Sequence, residues 1–246
     1  MKKEKRGPYA LFFKRFIDIV VSLMALVLFW WLYVIIAVLV KFKLGSPVLF
    51  KQRRPGKIDP KTGKERIFCL YKFRTMTDER NENGELLPDD KRLTSFGVWL
   101  RRTSLDETPE LLNIIRGDMS LIGPRPLLVR YLDRYNEEQR HRHDVRPGLT
   151  GYAQAHGRNS VSWEEKFAMD VWYTRNVTFI TDCRIVLDTI KTVLLREGIS
   201  SETFVTMEEF MGTSLKKGKS VEQKCLLTNE ENDSEHRYGD WNNLQY

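Results

Sequence analysis

Cysteine is scarce and scattered in this chain: Cys69, Cys183 and Cys225 are odd in number, and no two of them form a CxxC pair. That argues against a disulfide framework and a zinc ribbon, and it fits a reducing compartment. Histidine is almost as sparse, with 4 residues, of which only His141 and His143 lie close together, in HRHD. That is too few for an imidazole-rich metal cluster. Internal repeats are absent, which argues against a solenoid. Only one long apolar run occurs, so a multi-span membrane enzyme is excluded. Proline is missing between Pro8 and Pro47, across the whole of that run.

What is present is basic. Forty Lys and Arg stand against 33 Asp and Glu, a net charge of +7. Such a balance favours anionic partners: a membrane surface, phosphates or nucleic acid. The basic and aromatic residues form no recognisable nucleic-acid-binding module, so no nucleic acid is expected. A length of 246 residues allows one domain with a real core plus an anchor.

The apolar run extends from Ile19 to Val40, with only Ser22 and Tyr33 as polar interruptions. As a straight helix it would be about 33 Å long, enough to cross a bilayer core. It is too long for a signal peptide, and no small-residue cleavage site follows. Lys2, Lys3, Lys5, Arg6, Lys14 and Arg15 precede it; Lys41, Lys43, Lys51, Arg53 and Arg54 follow. With both flanks basic, the positive-inside rule does not choose an orientation, and both ends on the cytoplasmic side would satisfy it. The run therefore reads either as a single span or as a re-entrant helix.

After Gly45-Ser46-Pro47, Val48 to Arg54 reads as a strand and Arg66 to Met76 as its return, with a turn-rich link from Pro55 to Gly63. Lys72 and Arg74, two apart on one strand face, would present two cations to a diphosphate or form a solvated basic edge. Thr77 to Leu93 reads as a surface loop.

The centre of the chain is RRTSLDETPELLNIIRGDMSLIGPRP, from Arg101 to Pro126. Thr108-Pro109-Glu110 reads as a helix start, with Thr108 as N-cap and Pro109 at the first helical position. A helix N-terminus would keep the preceding Asp106 and Glu107 ionised and attract phosphate. Arg101 and Arg102 flank the acids on one side, Arg116 and Arg125 on the other. The plain alternative is an acidic first turn that only caps its helix.

Downstream, Leu127 to Val145 reads as an amphipathic helix with a basic outer face, and the glycine-bearing stretch Val145 to Asn159 as a loop open to close ligand approach. SWEE, at Ser162 to Glu165, is a capping box opening a helix to about Asn176. In it Asp170 shares a side with Lys166, its i,i+4 salt-bridge candidate, and with Tyr173. Asp182 to Glu197 reads as a further amphipathic helix whose apolar stripe belongs to the core, and the polar stretch from Thr213 as disordered. The organisation expected is 1–44 basic segment and apolar helix, 45–212 folded domain, 213–246 tail.

The strings KFRTM, TSLDE, PELLN, RGDMSLIGPRP, RPGLTGYAQAHGRN and WEEKF with DVWY follow one another in the order found in bacterial sugar transferases. From about Lys14 to Gly212 the chain resembles their small monotopic polyprenyl-phosphate phosphoglycosyl transferases. It departs from that pattern in three places. Tyr152 stands for the usual Trp, His156 for the usual Asn, and Trp30-Trp31 for the mid-helix Ser-Pro pair.

The resemblance implies an α/β fold, mostly α with a β-hairpin: a membrane-associated catalytic domain with one N-terminal hydrophobic helix, re-entrant rather than spanning. It implies transfer of hexose 1-phosphate, an N-acetylated amino sugar among the candidates, from a UDP-sugar to undecaprenyl phosphate with release of UMP. Asp106 would be the nucleophile with Glu107 beside it, and both are candidate ligands of Mg²⁺. Lys72, Arg74, Arg101 and Arg125 would neutralise the phosphates, Arg146 and Arg158 would contact phosphate or nucleotide, and Asp170 would lie near the site. The setting implied is the cytoplasmic face of the bacterial inner membrane, among membrane lipids, at the first membrane step of polysaccharide or glycoconjugate synthesis, ahead of downstream glycosyltransferases. The competing readings are a membrane-attached hydrolase with water as acceptor, and a non-catalytic basic domain that binds anionic lipid or nucleic acid.

Overall fold

The computed structural model describes residues 7–156, 161–194 and 209–212. In it the apolar run folds as two helices rather than one. A single π-helical stretch, Tyr9–Phe13, leads into α1 (Lys14–Leu28), and α2 (Trp30–Leu44) follows at an angle of 67°. Phe29 makes the break, with φ −108° and ψ 16° outside the helical region. The single straight span, the alternative to a re-entrant helix, is not what forms: among the described residues no single helix is long and apolar enough to cross a membrane, although the bent pair together has the length and composition.

A bend without proline must leave few backbone groups unpaired. Here the ladder restarts at once, because the Phe29 carbonyl accepts from both Leu32 N–H (2.9 Å) and Tyr33 N–H (3.2 Å). Tyr33 also folds back, its hydroxyl donating to Ala25 O at 3.4 Å.

Polar bonds sew α1 into the rest of the chain. Arg15 donates to Ile114 O (2.6 Å) and Ile115 O (2.9 Å). Asp18, 3 % exposed, accepts from Ser120 Oγ (2.7 Å) and Leu121 N–H (3.0 Å). Lys14 and Tyr9 both reach Asp182, at 2.7 and 2.6 Å. A buried acid on a largely apolar helix is costly unless its oxygens are hydrogen-bonded, and here both are. α2 adds apolar contacts: Ile36, Val40 and Leu44 pack with Phe73 and Leu100.

The predicted hairpin is present. β1 (Leu49–Ile58) and β2 (Glu65–Phe73) pair antiparallel, from Leu49 opposite Phe73 to Pro55 opposite Ile67, with a bulge before Ile58. Then come a one-turn α3 (Asp89–Arg92), α4 (Ser95–Arg102), a 3₁₀ turn Leu105–Glu107 and α5 (Glu110–Arg116). A second, parallel pair joins β3 (Ser120–Ile122) to β4 (Gly148–Thr150), the latter inside a stretch expected as loop. Strands this short carry no readable alternation. The architecture is mostly helical with two small sheets.

Leu127 to Val145 is not one amphipathic helix. It forms a 3₁₀ turn (Val129–Arg134), α6 (Glu137–Arg140) and another 3₁₀ turn (His141–Asp144). Tyr135 is extended between them, and Asn136 and Gln139 form a reciprocal capping box that starts a new helix there.

α7 (Tyr152–His156), α8 (Trp163–Arg175) and α9 (Phe179–Leu194) complete the regular structure of the described residues. α8 opens on the expected Ser162–Glu165 capping box. The apolar stripe of α9, expected in the core, largely faces outward. Ile185 is buried against Ile122, Val145 and Tyr173, but Ile180 and Leu187 are 63 % and 65 % exposed. Beyond it, Glu209–Gly212 return to the domain, where Phe210 fills a cluster with Tyr131 and Phe167. The expected disordered tail, 213–246, lies outside the described residues.

Candidate active site

Three elements meet around the central acids. α4 brings Arg101, the 3₁₀ turn brings Asp106 and Glu107, and β2 brings Lys72. Their mutual placement has local causes. Gly97 of α4 lies so close to the end of β2 that a Cβ there would fall 1.8 Å from Thr75 O. Only glycine allows α4 to approach that strand, and Arg101 Nε then donates to Thr75 Oγ1 at 3.0 Å. Asn113, fully buried on α5, hooks that helix to β2: Nδ2 donates to Cys69 O (2.7 Å) and Oδ1 accepts from Tyr71 N–H (3.1 Å). Lys72 is thereby held beside the acids. Asn113 belongs to the PELLN string, yet nothing in local pattern reveals a partner 42 or 44 residues away.

The predicted helix start is corrected. Thr108 is itself in helical conformation and its hydroxyl donates back to Leu105 O at 2.8 Å, so it caps nothing; Pro109 is the N-cap and α5 begins at Glu110. Asp106 and Glu107 sit on the preceding 3₁₀ turn. That turn is entered through Ser104 at φ 55°, the one non-glycine residue with positive φ among the described residues. Strained backbone of this kind persists where the surroundings impose it.

The two acids have different fates. Glu107 Oε1 is 2.6 Å from Lys72 Nζ and 2.5 Å from Arg125 Nη2. Burial works against its charge, but Arg125 and Lys72 outweigh burial and hold the carboxyl well below the ordinary glutamate range. Asp106 is 8 % exposed, and no side chain among the described residues hydrogen-bonds to it. Burial, and then the charge of Glu107, push it up to about 6, against the pull of Lys72, Arg101 and Arg125. The helix terminus expected to keep both acids ionised does not offset burial at Asp106: Glu107 is held as an anion, while Asp106 ionises only above about 6.

A third carboxyl, Glu110, was not singled out from sequence. It is 3 % exposed and 3.2 Å from Lys72, and burial raises it while Lys72 opposes. Its position one helical turn after Asp106 was the available signal.

The other candidates divide. Lys72, Arg101 and Arg125 gather at the acids. Arg74 lies past the end of β2, ion-paired to Asp78 at 2.9 Å and 3.5 Å from Leu44 O, so it does not share a strand face with Lys72. Arg146 donates to Gly117 O at 2.9 Å, at the opposite end of α5. There it lines an open cleft of about 260 Å³ with Lys57, Asp59, Arg66 and Asp118. Asp170 is buried in a pair with Arg142 at 2.8 Å, and Lys166, its i,i+4 candidate, lies near enough to favour its charge as well. Arg158 lies outside the described residues.

For a divalent cation, no group of three or more His, Cys, Asp or Glu among the described residues is placed to hold one. Glu107 Oε2, however, has only a 3.5 Å contact to Arg125 Nη1, and Asp106 is uncommitted. Two hard oxygen donors beside a phosphate are the set Mg²⁺ accepts. Chemically, a buried carboxyl with an available lone pair, ringed by three cations, suits attack on an anionic phosphorus centre.

The family model described as bacterial sugar transferase matches residues 9–196, which contain α1, α2, both sheets and every acid and cation gathered at this site. A protein of Bacillus subtilis named as an uncharacterized sugar transferase, EpsL, is 54 % identical over 174 residues, covering 71 % of this chain and 83 % of its own. The undecaprenyl-phosphate galactose phosphotransferase of Salmonella typhimurium is 36 % identical over 204 residues, 76 % of this chain but 41 % of its own. An N-acetylgalactosaminephosphotransferase of Aeromonas hydrophila, acting from UDP-N-acetylgalactosamine on undecaprenyl phosphate by its name, is 37 % identical over 196 residues, 76 % of this chain and 45 % of its own. This chain thus spans less than half the length of the two relatives named for a reaction. With a family model covering most of its length and the motif acids assembled in one place, the chain belongs to the bacterial sugar transferase family.

Proposed function

We propose that this chain transfers a hexose 1-phosphate from a UDP-sugar to undecaprenyl phosphate, releasing UMP, through a covalent phosphosugar on Asp106. The observation that carries the proposal is the asymmetry of the acids: Asp106 is buried and uncommitted, while Glu107 beside it is clamped between Lys72 and Arg125. A nucleophile must keep its lone pair free, and its neighbour must hold the cations in place.

In the first step an Asp106 oxygen attacks the β-phosphorus, and the bond from that phosphorus to the oxygen bridging it to the α-phosphate breaks. That oxygen leaves with its electron pair on UMP, and an acyl phosphate remains. In the second step a phosphate oxygen of the lipid attacks the same phosphorus, the bond to Asp106 breaks, and the carboxylate returns. Lys72, Arg101 and Arg125 offset the repulsion between attacking and attacked anions. Bound Mg²⁺, held by Asp106 and Glu107 Oε2, would neutralise phosphate oxygens. Glu110, through Lys72, keeps the ammonium beside Glu107.

The bent helix pair supplies the setting. Val27, Leu28 and Trp30 around the bend are strongly exposed, while Lys14, Arg15, Lys41 and Lys43 lie at the far ends. That distribution suits a hairpin entering and leaving the cytoplasmic leaflet of the bacterial inner membrane, with the acids at headgroup depth where a lipid phosphate lies. The product would be the first lipid-linked intermediate of a polysaccharide or glycoconjugate, a substrate for downstream glycosyltransferases.

The test is nucleotide release from a panel of UDP-sugars, including UDP-galactose and UDP-N-acetylgalactosamine, with and without undecaprenyl phosphate and Mg²⁺. Lipid-dependent UMP that disappears in Asp106→Asn supports the proposal. UMP without lipid would mean hydrolysis, and UDP as product would remove Asp106 as the phosphorus nucleophile.

A further inference from the structure

Arg125 reaches Glu107 with an exposed side chain, but its backbone is gripped from inside the protein. Arg142, on the 3₁₀ turn His141–Asp144, donates from Nη2 to Arg125 O at 2.7 Å. Arg54 of β1 donates from Nη1 to the next carbonyl, Pro126 O, at 3.3 Å. Two guanidinium groups from separate elements therefore hold successive carbonyls of the Gly-Pro-Arg-Pro turn.

Arg142 is itself fixed. Its Nε and Nη2 donate to Asp170 Oδ2 of α8 at 3.1 and 2.8 Å, and both side chains are buried almost completely. The guanidinium also lies 5.8 Å from the Tyr135 ring and 5.7 Å from the Phe167 ring. A buried ion pair is a poor source of net stability, since desolvating two charges offsets most of their attraction. What it does provide is direction. A planar fork locked by a carboxylate on one edge has its other N–H groups aimed in fixed directions, Nη1 towards Tyr135 Oη at 3.5 Å and the second Nη2 hydrogen towards one carbonyl. That carbonyl belongs to the residue whose side chain clamps Glu107.

We propose that Arg142 and Asp170 form a positioning device for Arg125, fixing its backbone so that its guanidinium meets Glu107 and the substrate phosphates in one orientation. Neither residue touches the acids. The catalytic part of this inference rests on the phosphosugar-transfer reading, and the geometric part does not. Orientation errors on the order of 1 Å at a phosphate-binding group cost on the order of 10²-fold in rate, so a partial loosening is expected to cost about tenfold.

The experiment is a double-mutant cycle on the full chain in detergent or vesicles, with melting midpoints measured alongside. Asp170→Asn and the milder Arg142→Lys are each expected to lower kcat about tenfold with KM changed less than about twofold. Combined with Arg125→Ala, Asp170→Asn is expected to add no further loss, because it acts through the group already removed. Losses that multiply, or a lowered midpoint with unchanged turnover, would make the pair structural and overturn the inference. Side-chain ¹⁵N NMR of arginine reads the geometry without turnover: hindered rotation of the Arg125 guanidinium in the wild type is expected to become free in Asp170→Asn. Unchanged hindrance overturns the positioning role. If wild-type protein shows no lipid-dependent UMP while the NMR change occurs, the transfer reading fails and the positioning of Arg125 stands.

Discussion

The two ends of α5 are both crowded with charge, and they use it in opposite ways. At the C-terminal end, Arg15 and Arg146 donate to the carbonyls of Ile114, Ile115 and Gly117. Cations on terminal carbonyls complement the helix dipole and have nothing to exchange with. At the other end Glu107, Glu110, Lys72 and Arg125 form an ion network that a phosphate can enter, and Asp106 stands beside it uncommitted. At this helix, charge satisfied by backbone builds structure, and charge satisfied by other charges at the acid end remains open to exchange with a ligand.

Asp106→Asn sharpens the contrast most. Transfer is expected to fall at least about 10³-fold, as for loss of a covalent nucleophile. The melting midpoint at pH 7 should hold or rise, because burial and Glu107 disfavour the Asp106 charge and Asn removes it. The sign follows from linkage: a carboxyl raised from 3.8 to about 6 on folding opposes folding once ionised, so stability should increase as pH falls from 7 towards 4. A large drop in midpoint for Asp106→Asn would contradict this.

Asp18→Ala should do the reverse. It leaves Ser120 Oγ and Leu121 N–H without their buried acceptor and is expected to cost about 2–4 kcal/mol by denaturant titration. Turnover per folded molecule should change little.

The pH dependence comes next. In the wild type, transfer should rise about tenfold per pH unit below an apparent pKa near 6 and level off above it, as Asp106 ionises. Lys72 lowers the Asp106 pKa, so in Lys72→Met the acidic limb should move to higher pH, by about one unit. A limb that stays in place or moves down would show that another group sets it.

Arg146→Ala is expected to have the smallest effect. It should lose about 0.3–1 kcal/mol of helix capping and leave transfer within about twofold, because α5 separates it from the acids by about 10 Å. A large loss of turnover would place substrate in the cleft at that end and merge the two sites.

Much of the acid-bearing end of α5 was legible beforehand. Acids and bases in an unusual local concentration stand out in any string, and Asp106, Glu107, Lys72, Arg101 and Arg125 do come together. The hairpin and the α8 capping box were legible for a similar reason, since alternation and capping are local. Arg74 failed because strand parity holds only as far as the strand does, and β2 ends at Phe73. Asp170 was noticed, but its hydrogen-bonded partner Arg142 lies 28 residues away, and i,i+4 spacing offered only the nearby Lys166. The stripe of α9 is amphipathic in either setting; periodicity says that a face is apolar, not what covers it.

By itself the sequence determined the inventory: one apolar run with basic ends, a basic hairpin, and an acid pair among arginines. These are properties of neighbours along the chain, which propensity, spacing and charge describe. Tertiary structure decided which acid is free and which is clamped, where the apolar run bends, and that Asp18 and Arg15 sew it to α5 and β3. Each of those depends on burial and on hydrogen bonds between residues far apart in sequence, such as the 99 residues between Arg15 and Ile114. A carboxyl's chemistry follows from its desolvation and its partners, and neither exists until the chain has folded.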